Sequence, residues 1–327
     1  MLKFNQSEEE SRDIFLEDTD RPLPEKLNQN TRYMFLKTLA KGGKSVISTV
    51  RDRHLSRVVV YKSLRSEFID DPIENRRLLR EARVSAMLQH PGTIPVYEIG
   101  RDQSGHIYFT MKLVHGYTLR EILDYRERYD LTQLIEVIEQ VAQALAYAHD
   151  HGVAHRDIKP ENILVGPYGE VLLLDWGLAK VWNKDGSAGE IEDEGITDRS
   201  HIPKARKLEK SMTGFDSLQG TICYMSPEQI NRNPNISVST DIYSLGSVLY
   251  EVLTGRTPFD SDKTYELLEM VKSESPAKPS EICKLPIPHV LEDLCLKCLQ
   301  KEPSDRPATM HDFVYTLQQE WAADLLK

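Results

Sequence analysis

The sequence reads His-Arg-Asp-Ile-Lys-Pro-Glu-Asn over residues 155–162 and Asp-Trp-Gly over residues 175–177. Between them lie two short apolar runs, separated by the turn sequence Gly-Pro-Tyr-Gly at residues 166–169. Two strands around a four-residue turn predict an antiparallel hairpin. We expect the open end of this hairpin to hold both Asn162 and Asp175.

The polar side chains of this segment suit phosphoryl transfer. The amide oxygen of Asn162 and the carboxylate of Asp175 are suitable ligands for Mg²⁺, because this hard cation is usually held by one or two protein oxygens plus substrate phosphates. Asp157 lies five residues before Asn162 and can accept a hydroxyl proton. Lys159 supplies a mobile positive charge for the transferring phosphate.

The same segment resembles the catalytic loop of the protein kinases, H-R-D-x-x-x-x-N with a later D-F-G, over eight consecutive residues. Lys159 in Asp-x-Lys resembles the serine/threonine branch, and residues 224–229 resemble the bacterial kinases of eukaryotic type. The resemblance runs from about residue 32 to residue 318. It implies an α+β, bilobal protein kinase fold, with a small antiparallel β-sheet lobe carrying one main helix and a larger, mainly α-helical lobe.

The resemblance also implies a division of the chain into lobes and flanking segments. The chain ends soon after the last expected kinase helix, as a fragment of a longer protein would. The expected divisions are an acidic, loosely ordered N-terminal extension at 1–30, the N-lobe at 31–111, the hinge at 112–116, the C-lobe at 117–320 with a long activation segment at 178–225, and a tail at 321–327.

Lys62 and Glu81 form a second functional pair by resemblance. Runs rich in β-branched residues predict three strands before residue 65, and residues 73–88 predict a helix with Glu81 inside its apolar face. In the kinase family the corresponding ion pair positions the α- and β-phosphates of ATP. Without the resemblance, an exposed strand lysine and a surface helix glutamate would explain both residues.

The nucleotide pocket departs from the family pattern in two places. The phosphate-covering G-x-G-x-x-G corresponds to Ala40, Gly42 and Ser45, so one glycine of three remains. Glycine lets backbone N–H groups close on phosphate, so weaker ATP binding is one expectation. Val60 stands where the family has alanine against adenine. The resemblance assigns ATP binding to Leu39, Gly42, Ile47, Val60, Lys62, Met111, Leu164 and the hinge backbone of Lys112 and Val114.

The long polar segment after Gly177 is expected to be regulatory. A loop of this length is usually functional or disordered. Arg156, next to Asp157, suggests control by phosphorylation of this loop; a flexible loop with incidental serines is the alternative. The candidate phosphosites are Thr197, Ser200, Ser211, Thr213 and Ser217, whereas Thr221 is assigned to substrate positioning near the catalytic loop.

Three further residues resemble structural supports of the kinase fold. Asp241 corresponds to the aspartate that holds the catalytic loop, at the start of a predicted buried helix that is too short to span a bilayer. Glu228 corresponds to the glutamate of A-P-E, and Arg306 to its buried partner. Arg156 belongs to the same supporting group.

Composition restricts the other classes of function. The chain has 41 basic and 51 acidic residues, a net charge of -10 and a pI near 5.6, which argues against nucleic acid as its main partner. Four cysteines indicate a reducing compartment, and no signal-peptide or membrane segment is recognisable, so the predicted location is cytoplasmic. Cys295 and Cys298 share a helical face with leucines, which favours core cysteines over a zinc site.

The sequence therefore predicts a serine/threonine protein kinase that uses ATP and Mg²⁺, with Mn²⁺ as an alternative, and acts on protein serine and threonine hydroxyls. It is also expected to phosphorylate its own activation loop, with a homodimer as one arrangement for transfer between copies. Ala40, Ser45 and Val60 motivate a rival, a catalytically weak pseudokinase acting as a nucleotide-sensing scaffold. A P-loop NTPase fails, because the first required glycine falls at Thr38.

Overall fold

The computed structural model describes residues 31–182, 220–283 and 286–321. The chain begins there with an antiparallel sheet of five strands. They are β1 (Tyr33–Lys41), β2 (Ser45–Asp52), β3 (Arg57–Leu64), β4 (Val96–Arg101) and β5 (Ile107–Met111). The strand order in the sheet is β1-β2-β3-β5-β4. Short turns join β1 to β3, which are the three strands predicted before residue 65.

One long helix, α1 (Pro72–Met87), packs against this sheet. Its start is fixed by Asp71, whose side chain accepts hydrogen bonds from the first-turn N–H groups, and by the proline in the first turn. Leu78 and Ala82 on its inner face pack with Phe109 of β5. The predicted helix at residues 73–88 is therefore confirmed within one residue.

The rest of the described chain is mainly helical. The helices are α2 (Leu119–Leu123), α3 (Leu131–Asp150), α4 (Pro227–Ile230), α5 (Ser239–Thr254), α6 (Thr264–Ser273), α7 (Pro279–Ile282), α8 (His289–Cys298) and α9 (Met310–Tyr315), followed by a π-helical turn at Thr316–Trp321. Helices α3 and α5 lie side by side at the centre of this region, and their apolar faces are fully buried in one large core.

Close contact between α5 and α8 explains the burial of two cysteines. A Cβ added at Gly246 would lie 2.4 Å from the Cβ of Cys298, so only glycine fits there. Cys295 Sγ lies 3.6 Å from the Gly246 carbonyl oxygen, and both cysteines are inaccessible to solvent. Their prediction as core residues is confirmed.

Short strands between the two regions shape the candidate site. The predicted hairpin is confirmed as β8 (Ile163–Val165) and β9 (Val171–Leu173), which pair antiparallel. β8 also pairs with β6 (Tyr117–Thr118), whereas β7 (Val153–Ala154) pairs with β10 (Lys180–Val181). The arrangement of a small sheet with one main helix beside a larger helical region confirms the predicted α+β kinase fold.

Two kinds of prediction are not decided by this architecture. The lobe and hinge boundaries stay predictions. The acidic extension, most of the activation segment and nearly all of the tail lie outside the described residues. Among the residues that are described, no helix is both long and apolar enough to cross a membrane.

Candidate active site

Lys62 and Glu81 meet where β3 faces helix α1. Lys62 Nζ donates to the two Glu81 carboxylate oxygens, at 2.6 and 2.7 Å, and each side chain is only 10% exposed. Burial alone would lower the pKa of Lys62, but the carboxylates of Glu81 and Asp175 hold that pKa above its usual value. Lys62 is therefore a fixed ammonium group inside the cleft.

The apolar residues assigned to nucleotide binding lie mostly on one face of the five-stranded sheet. Ile47 is directly opposite Lys62, and Val60 is directly opposite Met111. Because directly opposite residues of antiparallel strands point to the same side, these four side chains share a face. Leu164 lies on the separate small sheet, where it is half-buried.

The turn expected to cover the phosphates joins β1 to β2. Gly42 N–H donates to the Ser45 carbonyl oxygen at 2.9 Å, which closes the turn without the two missing glycines. Leu39, just before it, is 45% exposed. The predicted contacts Leu39 and Gly42 thus lie at the open rim of the sheet.

Strand β5 ends at Met111, immediately before the predicted hinge at residues 112–116. Lys112 N–H donates to the Pro95 carbonyl oxygen at 3.0 Å, so only the Lys112 carbonyl group is left for adenine. A Cβ at Gly116 would lie 2.2 Å from the Val165 carbonyl oxygen, which requires glycine at this close approach. The hinge geometry therefore leaves the Lys112 carbonyl oxygen as the available backbone acceptor at this residue, and the contact assigned to Val114 stays a prediction.

On the catalytic loop, the carboxylate of Asp157 contacts two other predicted site residues. Lys159 Nζ lies 2.9 and 3.1 Å from the Asp157 carboxylate oxygens. Asn162 Nδ2 donates to the Asp157 backbone oxygen at 2.8 Å and to its carboxylate at 2.9 Å. Because both donors of the amide point to Asp157, the Asn162 Oδ1 atom is the one available to a cation.

Asp175 lies at the same end of the hairpin as Asn162. Leu174 N–H donates to the Asn162 carbonyl oxygen at 2.8 Å, and Asp175 follows in a left-handed conformation with φ 62°. Desolvation would raise the pKa of Asp175, but the positive charges of Lys62 and Lys159 and the Gly177 N–H group outweigh it and hold the pKa below its usual value. The carboxylate is therefore ionised at neutral pH.

The donor set fits a divalent metal ion that is completed by a substrate. An ionised carboxylate from Asp175 and a free amide oxygen from Asn162 are hard oxygen ligands of the kind that Mg²⁺ accepts. Within the described ranges, no group of three or more His, Cys, Asp or Glu side chains could hold a metal ion by itself. Two protein oxygens plus phosphates match this chemistry better than an all-protein cage.

Asp241 holds the catalytic loop through its backbone. Its carboxylate accepts from the N–H groups of His155 and Arg156, both at 2.8 Å, and is 2.9 Å from His149 Nε2. Burial would raise the pKa of Asp241, but the His149 hydrogen bond and the backbone donors lower it below its usual value. Gln229 Nε2 donates to the Arg156 carbonyl oxygen at 2.8 Å, so Arg156 is fixed on both sides at φ 68°.

His155 connects the catalytic loop to the Asp-Trp-Gly segment. Its Nδ1 accepts from Asp157 N–H at 3.2 Å and its Nε2 lies 2.8 Å from the Leu174 carbonyl oxygen. The neutral tautomer that carries its proton on Nε2 satisfies both contacts. The ring also packs on Trp176, with ring centroids 4.5 Å apart.

The remaining predicted supports are also located. Arg306 donates to both Glu228 carboxylate oxygens, at 2.7 and 2.8 Å, and its side chain is fully buried. Thr221 accepts a backbone hydrogen bond from Tyr224, and its assignment to substrate positioning stays a prediction. The phosphosite candidates Thr197, Ser200, Ser211, Thr213 and Ser217 lie outside the described residues.

Sequence reasoning missed one network next to the catalytic loop. Arg120 of α2 contacts Glu161 of that loop at 3.0 Å and Glu251 of α5 at 2.6 Å. Tyr224 donates to Glu251 at 2.5 Å. These residues are 27 to 131 positions apart, so no local spacing could have linked them.

A buried lysine–glutamate ion pair beside an ionised carboxylate and an available amide oxygen is typical of enzymes that bind a nucleotide together with a divalent ion. Residues 33–321 match the family described as the protein kinase domain. The chain belongs to the protein kinase family. Membership implies the use of ATP and a divalent metal ion, and protein substrates.

Its relatives are bacterial serine/threonine kinases. The chain is 33% identical over 304 residues to serine/threonine-protein kinase PknD of Protochlamydia amoebophila, covering 89% of this chain and 30% of that protein. PknD of Chlamydia felis is 32% identical, with 88% and 31% covered, and PknD of Chlamydia pneumoniae is 33% identical, with 84% and 29% covered. The predicted serine/threonine kinase class, of bacterial eukaryotic type, is confirmed.

The chain spans about three tenths of the length of these curated relatives. Nothing in the comparisons favours the catalytically weak scaffold over a kinase.

Proposed function

We propose that this chain transfers the γ-phosphoryl group of ATP to serine and threonine hydroxyls of proteins. The observation that carries the proposal is the convergence of the Lys62–Glu81 ion pair, the ionised Asp175 and the Asp157–Lys159–Asn162 cluster. Catalysis of this reaction consists mainly of positioning and electrostatic stabilisation. Each of these groups either acts on the acceptor hydroxyl or binds the nucleotide and its metal ion.

Asp157 acts on the acceptor. Its carboxylate orients the substrate hydroxyl and takes its proton as the hydroxyl oxygen forms a bond to the γ-phosphorus. The bond between the γ-phosphorus and the bridging oxygen breaks, and ADP leaves. Lys159, 2.9 Å from the Asp157 carboxylate, offsets negative charge on the moving phosphoryl group.

The other cleft residues bind the nucleotide. Lys62, oriented by Glu81, contacts the phosphates that are not transferred, and the Lys112 carbonyl and Val114 N–H groups contact adenine. Asn162 Oδ1 and Asp175 would hold Mg²⁺, with Mn²⁺ as an alternative. When bound, the metal ion neutralises charge on the phosphates.

We also propose that the enzyme phosphorylates its own activation segment, one copy acting on another in a homodimer. The Arg156 side chain supports this idea, because its Nε donates to the Leu178 carbonyl oxygen at 2.7 Å, at the start of that segment. Mass spectrometry of ATP-treated protein should find phosphate between residues 183 and 219. Absence of phosphate there would reject this part alone.

The test of the main activity is Asp157→Asn with a generic protein acceptor and labelled ATP. We expect transfer to fall about 10²- to 10⁴-fold, the usual contribution of general acid–base catalysis, with ADP binding retained. The matched control is Asp262→Asn on an exposed loop, which should leave transfer unchanged. Wild-type turnover that survives in Asp157→Asn would reject the assignment of the proton acceptor.

A further inference from the structure

The β1–β2 turn, residues 42–44, carries a cation that the proposed reaction does not use. Lys44 Nζ lies 2.5 Å from Glu74 Oε1, in the first turn of helix α1. The Lys44 side chain is 37% exposed, but that of Glu74 is only 7% exposed. The contact therefore joins the rim of the sheet to a nearly buried carboxylate.

The backbone of the turn holds Lys44 in place for this contact. Arg65 N–H donates to the Lys44 carbonyl oxygen at 2.9 Å, and Arg65 Nη1 donates to the Gly43 carbonyl oxygen at 3.3 Å. Gly42 N–H donates to the Ser45 carbonyl oxygen. With both ends of the turn bonded, the Lys44 side chain extends toward α1 from a fixed base.

Glu74 is itself anchored within the helix. Arg77 Nη1 donates to Glu74 Oε1 at 2.7 Å, and Glu74 N–H donates to the side chain of Asp71 at 3.2 Å. Glu81 lies seven residues further along, about two helical turns, and so on the same face of α1. A shift of the helix would therefore move Glu74 and Glu81 together.

We propose that Lys44 is a positioning residue for ATP: its ion pair with Glu74 ties the phosphate-covering turn to α1. The position of the turn and the Lys62–Glu81 ion pair are thereby coupled through one helix. This link stabilises a turn in which two of the three expected glycines are absent. The inference rests on the proposed kinase function, since it needs ATP in the cleft.

Binding of Mg²⁺–ADP, measured by calorimetry, and the kinetic constants for ATP test the link. Lys44→Met and Glu74→Gln should each raise the ADP dissociation constant and the KM for ATP about three- to tenfold, the range expected for the loss of one ordinary hydrogen bond, with kcat nearly unchanged. The ADP dissociation constant of the double variant should be no higher than that of the single variant that binds ADP more weakly. The matched control is Lys41→Met, an exposed lysine on the same rim, with a change of less than about twofold.

Hydrogen exchange of the α1 amides gives a second readout. Mg²⁺–ADP should increase their protection in the wild type, and Lys44→Met should abolish that increase while the thermal unfolding midpoint stays within a few degrees. This variant keeps the test valid if Glu74→Gln fails to fold, because Lys44 lies at the surface.

Any one of three results would overturn the link. Lys44→Met and Lys41→Met could raise the ADP dissociation constant equally, or the increases caused by Lys44→Met and Glu74→Gln could multiply in the double variant. The third such result is tighter ADP binding by Glu74→Gln. Multiplying effects would mean that Lys44 acts on phosphate directly. Wild-type protein that binds ADP but transfers no phosphate would reject the proposed function alone. Wild-type protein that binds no nucleotide would reject both.

Discussion

The sheet region and the helical region of this protein are stabilised by different chemistry. In the sheet region the fully buried apolar cluster between α1 and the sheet consists of Leu78, Ala82 and Phe109. The helical region has one continuous core that includes residues from α3, α5, α8 and α9. On the outer strand β1, by contrast, Phe35 is 62% exposed.

Ion pairs occur in both regions, but their surroundings differ. The sheet region joins its elements through Arg32–Asp52, Lys44–Glu74 and Lys62–Glu81, near solvent or inside the cleft. In the helical region, Arg306–Glu228 and the contacts of Asp241 lie in a dense core. Removal of one member of an ion pair lowers the free energy of unfolding most where water cannot replace the missing group. The same kind of substitution should therefore be less destabilising in the sheet region.

The largest effect is expected from Arg306→Met in the helical region. Removal of Arg306 leaves the Glu228 carboxylate uncompensated and frees the backbone oxygens of Ser239 and Gln300. We expect the free energy of unfolding to fall by about 3–5 kcal/mol, as for other buried pairs that lose one partner. Urea denaturation measures this change, with the partly exposed Lys272→Met on α6 as the control. A loss near that of the control would remove the contrast between the regions.

Asp241→Asn should lower the free energy of unfolding by about 1.5–3 kcal/mol at pH 7, the range for hydrogen bonds to a charged group. The pKa of Asp241 in the folded protein lies below its usual value. The carboxylate therefore stabilises the fold above the unfolded pKa, about 3.9, and that stabilisation is lost as pH falls through the folded pKa. The difference between wild type and variant should shrink under acid. A difference that is constant between pH 7 and pH 3 would contradict this account.

Lys62→Met should destabilise the protein by about 1–2 kcal/mol at pH 8, and less at lower pH. Burial already raises the pKa of Glu81, with Asp175 adding to the rise and Lys62 opposing it. Without Lys62 the pKa of Glu81 rises further, so Glu81 is protonated in the folded variant at pH 5. The neutral carboxyl group is less costly to bury than the anion, and this advantage is lost as the pH rises through the folded pKa. Unfolding at pH 5 and pH 8 measures the trend. Glu81→Gln, as the control, should not show it.

The smallest effect is expected from Arg32→Met in the sheet region. Arg32 donates to both Asp52 carboxylate oxygens, at 2.9 and 3.0 Å, and also contacts Glu98. Asp52 would keep the backbone N–H groups of His54 and Leu55 as donors. Because Asp52 keeps these donors, we expect the free energy of unfolding to fall by only about 1 kcal/mol, the net contribution of a typical hydrogen bond. A loss as large as that of Arg306→Met would show that the two regions respond alike.

Local patterns in the sequence were sufficient for much of the fold. The run of β-branched residues before residue 65, the helix beginning after Asp71 and the hairpin at residues 163–173 all follow from spacing and turn chemistry, which act over a few residues. The resemblance to kinases then placed Lys62, Glu81 and Asp157 in one site. Nothing in the sequence shows that the Lys112 N–H group bonds to the Pro95 carbonyl oxygen, which fixes the chain just beyond the end of β5.

The sequence by itself determined the elements and the chemical identity of the cleft residues, because both depend on residue type and short-range order. Only the tertiary structure decided that Lys44 meets Glu74, that Arg120 joins Glu161 to Glu251, and that Asn162 presents Oδ1 rather than Nδ2. These contacts join residues brought together by packing, or depend on which atom of one side chain is already bonded. The spacing of residues along the chain predicts neither the contacts made by packing nor which atom of a side chain is already bonded.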